Sequence, residues 1–299
     1  MIYTVTFNPA IDYLLYVPTF KIGSINRSAK ENVFCGGKGI NVSIILKELG
    51  IDSTATGFTA GFTGNALEQS LKSQAINTDF IHLKNGITRI NVKIRSDCET
   101  DINGQGPEIL NSDITLLTEK LSTLSDNDYL VLAGSIPDKL PKNIYEKIMQ
   151  SLSDRNVKFV VDATGELLKN SLKFRPFLIK PNADELGELF GTKIKTEDEA
   201  LFFAEKLKNM GALNVLVSMG KDGAVLVDEY GKRHKRKAVS GKTVNTVGAG
   251  DSMVAGFVAG YIKTGDYDFA LKLGTAAGSA TAFSEGLAKK EEILKYLEK

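Results

Sequence analysis

The 299-residue sequence has no tryptophan, two histidines, two cysteines and seven prolines. His82 and His234 stand alone, which gives no support to a His/Cys metal cage. Cys35 and Cys98 show no paired spacing, so a disulfide framework is not indicated and a reducing compartment suits the chain. The formal net charge is only +1, and no basic stripe is visible, which argues against a nucleic-acid partner. No apolar run reaches the length of a membrane span, and Ile2 to Phe7 starts at once as a β-rich run, without a basic leader. The expectation is a cytoplasmic protein with no membrane partner.

What the chain does have is glycine, 28 of them, several at the starts of apolar helical segments. The stretch that organises the rest is Asn245-Thr246-Val247-Gly248-Ala249-Gly250-Asp251-Ser252. The β-branched run Thr243 to Val247 reads as a strand, and Met253, Val254, Phe257, Val258 and Tyr261 follow at helical spacing. Gly248 and Gly250 lack a Cβ, so their backbone N–H groups can approach a ligand closely. A helix starting there presents free N–H groups and the positive end of its dipole, which suits an anion. Asp251 falls in the first turn, well placed to accept a proton. Anion site plus carboxylate base suggests phosphoryl transfer to a hydroxyl; as local structure alone, Asp251 only complements the dipole.

Other segments add to this. Cys35-Gly36-Gly37-Lys38-Gly39-Ile40-Asn41-Val42 opens an apolar helix that stops at Gly50. It is not a Walker A loop, because Asn32 and Gly39 stand where that loop needs glycine and Ser/Thr. Asp12 follows the first strand, at the carboxyl end where open α/β sheets bind ligands. Thr88 to Ile94 alternates, which puts Arg89, Asn91 and Lys93 on one strand face, with Glu99 to Ile102 as its pairing partner. Asn182-Ala183-Asp184-Glu185 reads first as a capping box, which alone explains both residues, and secondly as an amide and carboxylate able to hold hydrated Mg²⁺. Thr196 and Glu199 form a second capping box.

From residue 112 onward the rhythm is strand, helix, strand: Ile114–Leu121, Tyr129–Ala133, Asn143–Ser151, Val157–Asp162, Phe177–Lys180 and Asn214–Ser218. That alternation predicts a parallel, doubly wound sheet. Met219 to Gly223 links Asn214–Ser218 to the strand Ala224–Asp228 as a hairpin, and Phe269–Ser284 reads as a helix rich in small residues. The tail from Glu291 reads as a charged, exposed helix. No linker or repeat divides the chain, so residues 1–299 form one domain in this reading.

In this order the motifs resemble the PfkB/ribokinase family of sugar kinases, from end to end. The resemblance rests on Gly36 to Val42, Asn182 to Glu185 and Asn245 to Gly256. It implies an α/β fold, a ribokinase-like three-layer α/β/α core with a mostly parallel sheet, plus a small β-sheet lid from about residues 11–34 and 87–104. It implies Asp251 as catalytic base and Gly248, Ala249 and Gly250 as the anion hole, with ATP as co-substrate. Asn182 and Glu185 would organise Mg²⁺ through water. Asp12, Gly37, Lys38 and Asn41 would contact the sugar. Arg27, Arg89 and Ser135 are assigned to its phosphate, Arg89 foremost because its fork of donors suits a phosphate. Lys180, Ser218, Gly220, Gly223, Gly248, Gly250 and Gly278 would form the nucleotide side. Thr4 to Asp12, Thr88 to Lys93 and Glu99 to Pro107 are most similar to kinases of D-fructose 1-phosphate, with D-tagatose-6-phosphate kinases as close relatives. Family lids often pair between subunits, which makes a homodimer through the lid an expectation. A non-catalytic sensor of sugar phosphate or nucleotide is the reading from a different class.

Overall fold

The computed structural model describes residues 1–137 and 139–298. The chain begins with β1 (Ile2–Thr6), β2 (Ala10–Tyr16) and β3 (Lys30–Gly36), then α1 (Lys38–Glu48), β4 (Thr54–Ala60) and α2 (Gly61–Ser73). Four short strands follow, β5 (Asn77–Thr78), β6 (Ile81–Leu83), β7 (Arg89–Arg95) and β8 (Thr100–Asn103). Next come α3 (Asn111–Leu121), β9 (Tyr129–Ala133), α4 (Ile144–Ser151), β10 (Lys158–Asp162), α5 (Gly165–Ser171), β11 (Leu178–Ile179), α6 (Ala183–Phe190) and α7 (Glu197–Asn209). The chain closes with β12 (Asn214–Ser218), β13 (Ala224–Val227), β14 (Arg233–Arg236), α8 (Ala249–Thr264), α9 (Tyr267–Ala282) and α10 (Lys290–Leu297).

The main sheet has the order β14-β13-β12-β11-β10-β9-β1-β4-β5, with β6 also pairing β4. Pairing is parallel from β12 through β5 and antiparallel at the β12-β13-β14 edge. Its inner strands are largely apolar on both faces, as a sheet covered by helices on both sides requires. On one side, Leu130 and Leu132 of β9 join Val5, Val161 and Val215 against Leu121, Tyr145, Leu168, Leu186 and Leu201 of α3 to α7. On the other, Tyr129 and Val131 meet Val42, Ile45, Val254, Phe257 and Leu271 of α1, α8 and α9. This is the three-layer α/β/α core. Among the described residues no helix is long and apolar enough to cross a membrane.

A separate four-stranded sheet has the order β3-β2-β7-β8, with β2 and β7 parallel and the outer pairs antiparallel. Its four strands lie within two residues of the bounds of the two stretches expected to leave the core, β2 and β3 in the first and β7 and β8 in the second.

Several expectations need correction. The run Thr243 to Val247 is not a strand. The main sheet already ends at β14, so Val244 and Asn245 instead donate their backbone N–H groups to Ala282 O at the end of α9. β14 itself, Arg-His-Lys-Arg, carries no apolar alternation and went unforeseen; charged side chains are typical of a sheet edge. The short β5, β6 and α5 were also unforeseen. The tail helix α10 is not wholly exposed, since Ile293 is fully buried in the second core.

The glycines of the last two long helices serve close packing. A Cβ on Gly256 would lie 2.7 Å from Leu273 O and 2.8 Å from Gly274 Cα. We expect Gly256→Ala to destabilise the protein by about 1–3 kcal/mol, the usual cost of overpacking. A lowered urea midpoint with unchanged slope is the expected result; an unchanged midpoint would show that α8 and α9 can part at no cost.

Candidate active site

The sheet order reverses at β1, with β9 on one side and β4 on the other. At such a switch point the connections diverge and leave a crevice beyond the carboxyl ends of the strands. A cavity of about 470 Å³ lies there. Its walls come from the turn after β1, from β2 and β7 of the small sheet, from the start of α1, from the ends of β9, β10 and β11, and from the start of α8. A second cavity, about 790 Å³, adjoins it between the Met219–Gly223 hairpin, the 238–246 segment, α8 and α9. Asn182, Ser218 and Gly250 line both.

Two helices start at the first cavity. The first follows Gly37, whose φ of 123° only glycine adopts readily, and Thr6 Oγ1 accepts the Ile40 N–H at 3.1 Å. The second follows Gly248, left-handed at φ 81°, with the turn Val247 N–H to Asn245 Oδ1, 3.0 Å, just before it. Neither N-cap glycine has a side chain to cap its helix; Ile40 N–H goes to Thr6 and Ala249 N–H to Thr246 O at 3.2 Å, while the Gly39 and Gly250 N–H groups remain available to a ligand.

Four charged side chains converge here from distant parts of the chain. Asp162, at the end of β10, is 2 % exposed and lies 3.3 Å from Lys38 Nζ through one oxygen and 3.3 Å from Lys180 Nζ through the other. Asp251 is 5 % exposed and accepts a 2.8 Å hydrogen bond from Asn41 Nδ2. Burial raises the Asp251 pKa to about 6, with the negative charge of Asp162 acting in the same direction against Asn41, Lys38 and Lys180. For Asp162, burial pushes upward but Lys180 and Lys38 outweigh it, so its pKa is lowered. For Lys38, burial pushes downward and the carboxylates, Asp162 first, outweigh it.

The sequence-expected residues fall as follows. Asp12, Gly37, Lys38, Asn41, Arg89, Ser135, Lys180, Asn182, Glu185, Ser218, Gly248, Gly250 and Asp251 line the first cavity. Ala249, Gly220, Gly223 and Gly278 line the second, with Ser218 and Gly250 shared. Arg27 is not among them; it is exposed on the loop between β2 and β3. Arg89 is partly buried, donates from Nε to Asn8 O at 3.1 Å and keeps its terminal amino groups clear of protein partners among the described residues. Burial lowers its pKa from the ordinary arginine value, and Asp12 opposes that.

Sequence reasoning missed Asp162, although its signal was the same as for Asp12, a carboxylate ending a strand. It also left Asn91 as an ordinary member of a polar strand face. Both line the first cavity.

Asn182 and Glu185 form the foreseen capping box: Glu185 N–H to Asn182 Oδ1 at 2.7 Å and Asn182 N–H to Glu185 Oε2 at 2.8 Å. That occupies one oxygen of each and leaves Glu185 Oε1 without a hydrogen-bond partner among the described residues. Among the described residues no cluster of three or more His, Cys, Asp or Glu forms a metal cage. One spare carboxylate oxygen at the wall of the first cavity fits Mg²⁺, which keeps most of its waters and takes few protein ligands.

The arrangement therefore offers backbone donors for an anion, one buried and one half-exposed cation, and one carboxylate ready to take a proton. The pattern of the pfkB family carbohydrate kinases matches residues 5–293. The chain belongs to that family. As a pfkB kinase it is an ATP-dependent sugar kinase. It is 46 % identical over 297 residues to a 1-phosphofructokinase of Bacillus subtilis, covering 99 % of this chain and 97 % of that one. It is 38 % identical over 288 residues to a D-tagatose-1-phosphate kinase of Bacillus licheniformis, covering 96 % and 94 %. Among solved structures, a putative phosphofructokinase from Staphylococcus aureus is 41 % identical, with TM-score 0.89, covering 100 % of this chain and 97 % of that chain.

Asp251 makes the pfkB cavity costly to the fold. Its pKa, about 6, lies above the ordinary 3.8, so the folded chain holds that proton more tightly than the unfolded one. Stability is then lost as pH rises between those values, the reverse of a salt-bridged carboxylate. Asp251→Asn is expected to raise the melting temperature at pH 8, by a stabilisation on the order of 2–3 kcal/mol, with the gain vanishing near pH 4. A variant less stable than wild type at pH 8 would show that the ionised carboxylate is not strained here.

Proposed function

We propose that this kinase transfers the γ-phosphoryl group of ATP to the 6-hydroxyl of D-fructose 1-phosphate, giving D-fructose 1,6-bisphosphate. The observation that carries the reading is the position of Asp251 and the α8 N-terminus at the junction of two cavities, with Gly250 in the wall of both. The relatives named 1-phosphofructokinase give the acceptor.

In this reading the sugar phosphate occupies the first cavity. Arg89, with Ser135, grips its 1-phosphate, while Asp12, Gly37 and Asn41 orient the ring. The nucleotide lies in the second cavity over Ser218, Gly220, Gly223 and Gly278. Asp251 takes the proton of the attacking hydroxyl as the phosphoryl group arrives, and the backbone N–H groups from Gly248 to Gly250 receive the developing negative charge. Lys38 and Lys180, pinned by Asp162, add positive charge beside that path. Transfer is direct and in line, because among the described residues no nucleophile lining either cavity is paired with an activating base. Glu185 and Asn182 would hold Mg²⁺ through water, and the ion would neutralise charge on the nucleotide's phosphates.

The small sheet acts as a lid in this reading, within a single domain. Its outer face carries Val33, Ile90 and Ile102, at 63 %, 37 % and 59 % exposure, which supports a homodimer joined through these sheets. Two free cysteines and the use of ATP suit the cytoplasm. A second reading comes from the relative named D-tagatose-1-phosphate kinase. Tagatose is the C4 epimer of fructose, so the same phosphate grip and the same base would serve it. The expected alternative, D-tagatose 6-phosphate, has its phosphate on the carbon that Asp251 would activate in fructose 1-phosphate, so it needs a reversed pose. A non-catalytic sensor would gain nothing from a buried base that strains the fold.

The deciding experiment is ADP release from Mg²⁺-ATP with fructose 1-phosphate, fructose 6-phosphate, tagatose 1-phosphate and tagatose 6-phosphate. A kcat/KM at least about tenfold higher for fructose 1-phosphate is expected; preference for a tagatose phosphate would replace the substrate and keep the chemistry. In the same assay the acid limb of kcat/KM should fall near pH 6, as Asp251 protonates. Asp162→Asn removes a like charge, so its acid limb should move to lower pH than wild type's; an unmoved limb would detach Asp251 from it. Sedimentation should give a dimer for the wild type and a monomer for Val33→Glu, and a wild-type monomer would rule the pairing out.

A further inference from the structure

We propose that Asn91 determines specificity for the sugar ring: its side-chain carbonyl oxygen accepts a hydrogen bond from a ring hydroxyl of the phosphosugar. The inference rests on the reading of the first cavity as the phosphosugar site.

Asn91 lies within β7 and is paired in register with Asp12 of the parallel strand β2. It lines the cavity and is only 6 % exposed. Its Nδ2 donates to Asp12 Oδ1 at 2.8 Å. That contact fixes which way the amide faces. Turning it over would set its oxygen against a carboxylate oxygen, two acceptors with no proton between them. Oδ1 is therefore the atom left over, and it is buried with no hydrogen-bond partner among the described residues.

A buried carbonyl without a donor has given up its hydration and received nothing in return. Most polar side chains in the core avoid that cost: Thr4 meets Ser43 at 2.8 Å, and Asn214 donates to Phe177 O at 2.7 Å. Three other buried side-chain atoms also lack a hydrogen bond among the described residues, Thr78 Oγ1, Arg236 Nε and Asp162 Oδ1, the last with Lys180 Nζ 3.3 Å away. Of the four, Asn91 Oδ1 is the neutral acceptor in the wall of the substrate cavity, where a ligand can supply the missing donor. The adjacent acceptor is Asp12, whose second oxygen faces Gly36; a Cβ there would come within 2.7 Å of it. Two acceptors side by side suit a polyol, whose hydroxyls donate to both. Arg89 lies two residues earlier on the same strand face, so the phosphate grip and the hydroxyl reader share one strand. Oδ1 is closed to water in this conformation, so the hydroxyl reaches it with a small shift of β7 as the sugar settles. Sites that read a hydroxyl this way discriminate strongly, because an analogue lacking it leaves the buried acceptor unpaired.

The test is a double-mutant cycle between Asn91 and the ring hydroxyls. The kcat/KM is measured for fructose 1-phosphate and for its 3-deoxy and 4-deoxy analogues, with wild type, Asn91→Ala and the near-isosteric Asn91→Leu. Melting curves identify folded variants, and two substitutions guard against one that does not fold. Wild type should prefer the parent sugar over one analogue by roughly 100-fold or more. In a folded variant the parent should lose roughly tenfold or more, mainly through its KM with the ATP KM unchanged, and the preference over that analogue should shrink to within about threefold. A purely structural role for Asn91 would lower parent and analogues alike. Wild-type turnover on the parent with undiminished discrimination in a folded variant overturns this inference alone. Absence of wild-type turnover on fructose 1-phosphate overturns the substrate reading and this inference with it.

Discussion

The pairing of Asp162 with both Lys38 and Lys180 is the interaction on which the site depends. Removing charges from water is expensive, and only close opposite charges offset it. Asp162 ends β10, Lys180 lies just past the neighbouring parallel strand β11, and Lys38 opens α1 on the other side of the cavity. The sheet register and the seating of α1 must therefore both be right for any of the three to be tolerated. Loss of Asp162 would leave two cations facing each other, so the carboxylate carries structure and electrostatics at once.

Asp251 is the outlier in that group. Asp162 has two lysines close by, while Asp251 has the Asn41 amide and more distant charges. One carboxylate is thus held firmly ionised and the other is poised to exchange a proton. Two acids driven apart in this way define their roles by environment rather than by type. The fold bears a strained Asp251, and the large apolar layers on both sheet faces offset it.

Much of this was legible in the sequence because glycine and capping residues carry their meaning locally. Gly37 and Gly248 announce helix starts, and the Asn182–Glu185 and Thr196–Glu199 boxes form as their spacing requires. Local rules failed where a partner decides. The β-branched Thr243–Val247 has strand composition but no sheet edge to join, and α9 takes its N–H groups instead. β14 has no apolar pattern at all and is a strand only because β13 offers an edge. Asp162 looked like any strand-terminal acid, since the two lysines that single it out lie 124 residues before it and 18 after. Asn91 stood out only once Asp12 was seen to occupy one end of its amide.

The place of β1 in the middle of the main sheet has a consequence for biosynthesis. Its pairing with β4 is within reach once residues 54–57 exist, but its other flank waits for β9 at residue 129. The Asn41–Asp251 bond closes across 210 residues. Such long-range closure is slow and comes late in folding. In the proposed reading, a nascent chain with its sugar-side residues already made still lacks Asp251 and the Gly248–Gly250 turn. Phosphoryl transfer would then begin only once the last sixth of the chain has docked, and a growing polypeptide would not squander ATP on water.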